Sequence, residues 1–129
     1  MENDVQWKKM EKIERDDVLK KLIETKGSCV VVRPVGELDH HVAELLRNEI
    51  DSKVTINTKR IIFDFSNVNF MDSSGIGVIM GRYRLMCGIM GDVGAFGLSP
   101  QLDKLITMSG IKKIIDIYAN EQEALGGVV

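Results

Sequence analysis

Residues 61–88 read IIFDFSNVNFMDSSGIGVIMGRYRLMCG, and this stretch decides the fold. Ile61 to Phe65 is short and, except at Asp64, β-branched or aromatic, the composition of a central strand covered on both faces. A loop from Asn67 to Ser74 follows. From Ser73 or Ser74 onward, Ile76, Ile79, Met80, Tyr83 and Met86 recur at helical spacing, and Gly88 supplies a stop. A buried strand that leads through a loop into a helix predicts a crossover unit of a parallel sheet.

The flanking segments extend this unit. Upstream, β-like runs at Lys20 to Glu24 and Cys29 to Val35 flank the turn Thr25-Lys26-Gly27-Ser28, an opening hairpin with an antiparallel first strand. Pro34 has no N–H to donate, so its strand should lie at an edge, bulge, or finish there. Asp39 suits a helix N-cap, and Val42, Leu45, Leu46 and Ile50 predict a helix from His40 to Ser52. Downstream, a strand from Val93 to Leu98 runs into Ser99-Pro100, a cap and first-turn proline, and a helix bearing Leu102, Leu105 and Ile106 ends at Gly110. Lys113 to Tyr118 reads as a last strand and Asn120 to Leu125 as a turn or short helix. The order β-β-α-β-α-β-α-β-α predicts a single α/β domain, three-layered or one-sided. Its sheet is mixed but mostly parallel, with four to five strands and about four helices.

Composition fits this reading. With 129 residues, 44% hydrophobic and 28% charged, the chain has an ordinary globular balance and material for one core. A net charge of -2 provides no cation excess for a nucleic-acid backbone, so proteins or small ligands are the expected partners. Met1 to Asp17 is dense in charge and lacks a secretory apolar core, and no stretch suits a membrane span, so a cytoplasmic protein is expected. Cys29 and Cys87 have no second pair to complete a metal site and read as buried free thiols.

In open sheets of this kind, the loops leaving the carboxyl ends of the strands gather on one edge, where ligands bind. Loops 36–41, 67–74 and 98–100 should therefore bring Asp39, Asp72, Ser73, Ser74 and Ser99 together. Two readings of Asp72-Ser73-Ser74-Gly75 are open: helix capping, which favours these residues in any protein, or a site. Gly75, Gly77 and Gly81 each weaken a helix by roughly 1 kcal/mol relative to alanine, so three in one helix call for close approach by something. Tight packing within the fold and contact with a partner both satisfy that demand.

Several chemistries fall away. A dinucleotide loop would need its third glycine at Met80, and a serine-hydrolase elbow would need glycine two places before Ser73 or Ser74, where Met71 and Asp72 stand. His40 and His41 are neighbours on a helix start, about 100° apart by helical geometry, and do not readily share a metal. No cofactor, metal or catalytic set is expected, and the chain reads as a non-enzyme.

Three segments carry a family resemblance: Gly36-Glu37-Leu38-Asp39-His40-His41, Phe70-Met71-Asp72-Ser73-Ser74-Gly75-Ile76-Gly77 and Met108-Ser109-Gly110-Ile111. Together they resemble the anti-sigma factor antagonist branch of the STAS domain family over about Leu19 to Leu125. Ala43-Glu44 after the histidines and Gly81-Arg82-Tyr83 after the serine loop are more similar to its sporulation members than to its general stress members. The resemblance implies phosphorylation of Ser73 by a cognate anti-sigma factor that is itself a serine kinase, with Ser74 an unmodified neighbour. It further implies release of a sporulation sigma factor and restoration by a serine phosphatase of the PP2C type. Asp39 and His40 match docking positions, and the expected partner surface adds Asp72, Ser74, Gly75, Gly77 and Ser99 to Ser73. A STAS module of a general stress or stressosome-like pathway is the alternative, and self-association is left open.

Residues 1–18 form an N-terminal extension longer than the family pattern, before a STAS domain at 19–129. Trp7, Met10 and Ile13 recur every three residues, which suits either a weakly amphipathic helix or a mobile tail.

Overall fold

A computed structural model describes residues 17–19 and 21–126. The expected role of Trp7, Met10 and Ile13 lies outside these residues. Residues 17–19 and 21–22 are helical, so the first strand begins later than the expected Lys20. Leu19 and Ile23 are both buried while Lys21, which an alternating strand would put on the same face, is exposed, the pattern of a helical turn entering the sheet.

Strand β1 (Ile23–Lys26) pairs antiparallel with β2 (Cys29–Val32), and Lys26 faces Cys29 across a two-residue turn. Gly27 takes a positive φ of 59° there, a conformation glycine adopts without strain. Strand β2 stops before Pro34, which settles the role of that proline as a terminator. The chain then turns at Gly36 (φ 82°) into β3 (Gly36–Leu38), inside what the sequence suggested was a loop. Helix α1 (His40–Lys53), β4 (Arg60–Asp64), β5 (Val68–Met71) and α2 (Ser73–Cys87) follow. Strand β5 also occupies part of a predicted loop. It pairs in parallel with β3 in a separate two-stranded sheet.

The remaining elements are β6 (Asp92–Phe96), α3 (Pro100–Ser109), a 3-10 turn (Ile111–Lys113), β7 (Asp116–Ile117) and α4 (Glu121–Leu125). The last strand is shorter than Lys113 to Tyr118, because the chain reverses at Gly110 (φ 82°) and buries Ile111 and Ile115 through a turn. The main sheet runs β1-β2-β4-β6-β7, parallel except for β1. Strand β4 is central, as its composition predicted.

Period-two alternation divides the core. Val30, Val32, Ile61, Phe63, Val93 and Ala95 join Leu46 and Ile50 of α1, Val78, Ile79 and Met86 of α2, and Leu102 and Ile106 of α3. Cys29, Val31, Ile62 and Phe96 instead pack with Ala124 of α4. Three helices thus cover one face and α4 covers the other. Cys29 is buried as expected, but Cys87 at the last turn of α2 is exposed, since Met86 takes the inward position there.

Candidate partner-binding site

Strands β3 and β5 run side by side, with Leu38 opposite Met71, so the chain leaves both at one level. The next residue on each is an aspartate. Both aspartates are extended and cap a helix: Asp39 Oδ1 accepts from the amides of His41 and Val42 at 3.1 Å, and Asp72 Oδ1 from that of Ser74 at 2.8 Å. The Asp72 amide reaches back to the Leu38 carbonyl at 3.5 Å and ties the two loops. Two helix N-termini, each carrying positive partial charge, therefore stand next to each other at this edge.

Helices α1 and α2 then pack together, leaving a groove of about 420 Å³. His40, Ala43, Glu44 and Arg47 line it from α1, and Ser74, Gly77 and Val78 from α2. Ser73 is exposed at the first position of α2, and among the described residues no hydrogen bond engages its hydroxyl. Asp72 does the capping, so neither serine is consumed by it. Ser99, by contrast, is committed to its own helix, where its Oγ accepts from the Leu102 amide at 3.1 Å. It does not line the groove; its neighbour Pro100 lines a second depression, of about 500 Å³, with Gly97, Leu98, Ile117 and Tyr118.

The three glycines of α2 separate. Gly75 is buried, and a β-carbon there would lie 2.4 Å from Met71 Cγ and 3.1 Å from Leu38 Cδ2, so its role is packing of α2 onto the small sheet. At Gly77 and Gly81 a β-carbon would meet nothing within 4 Å, so nothing inside the fold requires their smallness. The exposed His40 and His41 rings lean together, with centroids 4.3 Å apart, rather than diverging as ideal helical geometry predicts. Both sit in the first turn, where no preceding turn confines their side chains. Sequence reasoning missed Ala43, Glu44, Arg47 and Val78. The spacing of His40, Glu44 and Arg47 at i, i+4 and i+7 was the signal that places them on one helical face.

The STAS domain family model matches residues 20–124. The chain belongs to the STAS domain family, in its anti-sigma factor antagonist branch. The anti-sigma F factor antagonist of Paenibacillus polymyxa is 40% identical over 97 residues, which cover 74% of this chain and 83% of that protein. The unphosphorylated form of the anti-sigma factor antagonist SpoIIAA superposes with a TM-score of 0.70 at 34% identity, covering 80% of this chain and 90% of that one. The phosphorylated form of the Bacillus cell fate determinant SpoIIAA gives 0.66 at 34% identity, covering 83% and 97%. The STAS domain here keeps the mixed, mostly parallel sheet of the expected fold, with three helices on one face and α4 on the other. No helix among the described residues is long and apolar enough to cross a membrane.

Proposed function

We propose that the unphosphorylated chain binds a cognate anti-sigma factor, itself a serine kinase, and so releases a sporulation sigma factor, until phosphorylation of Ser73 ends the interaction. A serine phosphatase of the PP2C type resets it. The chain is the substrate of this chemistry and performs none. The observation that carries the reading is the uncommitted, exposed Ser73 hydroxyl at the start of α2, beside a groove with two helix N-termini at its mouth. The similar SpoIIAA occurs in phosphorylated and unphosphorylated forms, which supports a phosphorylation switch in this chain.

The physics of the switch follows from that position. Phosphate adds roughly -1.5 to -2 charge. In the free chain, solvent and the α2 N-terminus favour the anion, so the fold tolerates it. In a complex the dianion is desolvated beside Asp72 and near Asp39, a penalty of several kcal/mol. Each 1.4 kcal/mol is about tenfold in affinity, so docking weakens by orders of magnitude.

The test is titration of the full chain against the kinase. Ser73→Ala is expected to bind like wild type and accept no phosphate, whereas Ser73→Asp binds about 100-fold more weakly with an unchanged circular dichroism spectrum. Tight binding by Ser73→Asp, or phosphate found on another residue, overturns the proposal. Parallel titration against general-stress kinases separates the sporulation partner from the stress-pathway alternative.

A further inference from the structure

Strand β5 carries an irregularity just before the serine loop. Gly36 pairs with Val68 and Glu37 with Phe70, so one step along β3 matches two along β5, and Asn69 is the extra residue. In a regular strand the buried Val68 would send Phe70 inward with it and turn Met71 out to solvent. The register shift reverses this: Met71 is buried and Phe70 stands 50% exposed. Shifts of this kind re-aim side chains and are over-represented beside functional sites.

The helix that follows is fitted to the shifted register. A β-carbon at Gly75 would lie 2.4 Å from Met71 Cγ, so the glycine makes room for Met71 on the inside. Phe70 is left outside at a cost, since a half-wet ring forgoes part of the stabilisation that burial gives. Phe63, Phe65 and Phe96 are all buried, which makes Phe70 the one exposed phenylalanine of the chain. Threonine would suit the wet face of a strand as well, so strand formation does not call for an aromatic there.

The exposed ring belongs to the residue three places before the exposed Ser73, and three residues of chain span at most about 11 Å. A standard protein interface takes about 800 Å² from each partner, a patch about 16 Å in radius. A kinase footprint centred on the Ser73 hydroxyl therefore covers Phe70 as well.

We propose that Phe70 is an apolar anchor for the anti-sigma factor, its ring seated in an apolar recess of the kinase when Ser73 enters the kinase active site. The proposal rests on the functional reading above and names the partner chemistry next to the same serine. Aromatic side chains are enriched in the cores of interfaces, where they fill desolvated pockets. Ser73 is then the switch, and Phe70 a source of the affinity that the switch overrides.

The experiment titrates the full chain against the kinase for wild type, Phe70→Ala, Phe70→Thr and Phe70→Leu, with urea unfolding of each free chain and the rate of Ser73 phosphorylation at saturation. Phe70→Ala and Phe70→Thr are expected to bind about 30-fold more weakly, mainly through faster dissociation, with a saturated phosphorylation rate within about threefold of wild type. Phe70→Leu keeps an apolar group and should recover binding to within about fivefold of wild type. A merely structural phenylalanine would lower the urea midpoint and leave binding by the folded chain unchanged. Wild-type affinity in folded Phe70→Ala overturns the proposal; if that variant does not fold, wild-type affinity in Phe70→Thr, the better strand former, overturns it. Failure of wild type itself to bind the kinase removes the functional reading as well, which distinguishes the two failures.

Discussion

A single β-carbon separates the glycines of α2 into two kinds. At Gly75 it would overlap Met71 Cγ, which sits too near its own backbone to swing clear. That overpacking costs roughly 1–3 kcal/mol and outweighs the helix propensity alanine gains. Gly75→Ala should therefore lower the urea midpoint of unfolding. Gly77→Ala and Gly81→Ala meet open space and should raise stability by up to about 1 kcal/mol each, measured in the same way. If the bare surface serves docking, both variants bind the partner more weakly while folding better. The sequence showed that three glycines needed a reason, and only the structure shows that the reasons differ. Asp72 was legible as a cap because capping is local; the burial of Arg82 with Asp51 3.1 Å from its Nε was not, because Asp51 comes from α1.

At the scale of elements, α4 has little apolar surface and is held largely by charge. Glu121, in its first turn, pairs with Arg33 and with Lys26, the latter at 2.5 Å. Arg33 also bonds Glu24 at 2.6 Å and Asp64 at 3.2 Å. Arg60 donates to the Ala124 carbonyl at 2.8 Å at the other end of the helix. Arg33 first, then Lys26, hold the Glu121 carboxyl below its usual 4.5, at about 2. A folded-state value below the unfolded one gives a contribution that is complete above the unfolded value and is lost as pH falls through about 2. Glu121→Gln should cost roughly 1.5 kcal/mol at neutral pH, the low end for charge-assisted bonds because the pair is partly exposed. Urea unfolding between pH 4.5 and 2 should then show a smaller loss of stability in the variant than in wild type. The sequence marked Asn120 to Leu125 as a turn or short helix, but nothing local marks Arg33 as its anchor, 88 residues away.

For the whole molecule, the main consequence is that fold and switch are separable. Ser73 lies outside the core built on Phe63, Ile61 and Leu46, and its modification touches only the exposed start of α2. Calorimetry of the Ser73-phosphorylated chain should show a melting midpoint within about 4 °C of the unmodified chain, less than about 1 kcal/mol for a domain of this size. A larger drop would mean that phosphorylation acts by unfolding. The α/β class, the central strand at Ile61 to Phe65, the three main helices with their caps, and the serine loop were determined by sequence alone. These follow from composition, periodicity and side-chain to backbone bonds within a few residues. Pairing of β3 with β5, burial of Gly75 with exposure of Gly77, the groove between α1 and α2 and the burial of Arg82 beside Asp51 were decided by tertiary structure. Each depends on segments some 30 residues or more apart in the chain, or on what packs across a helix, and no local pattern encodes which distant surface arrives.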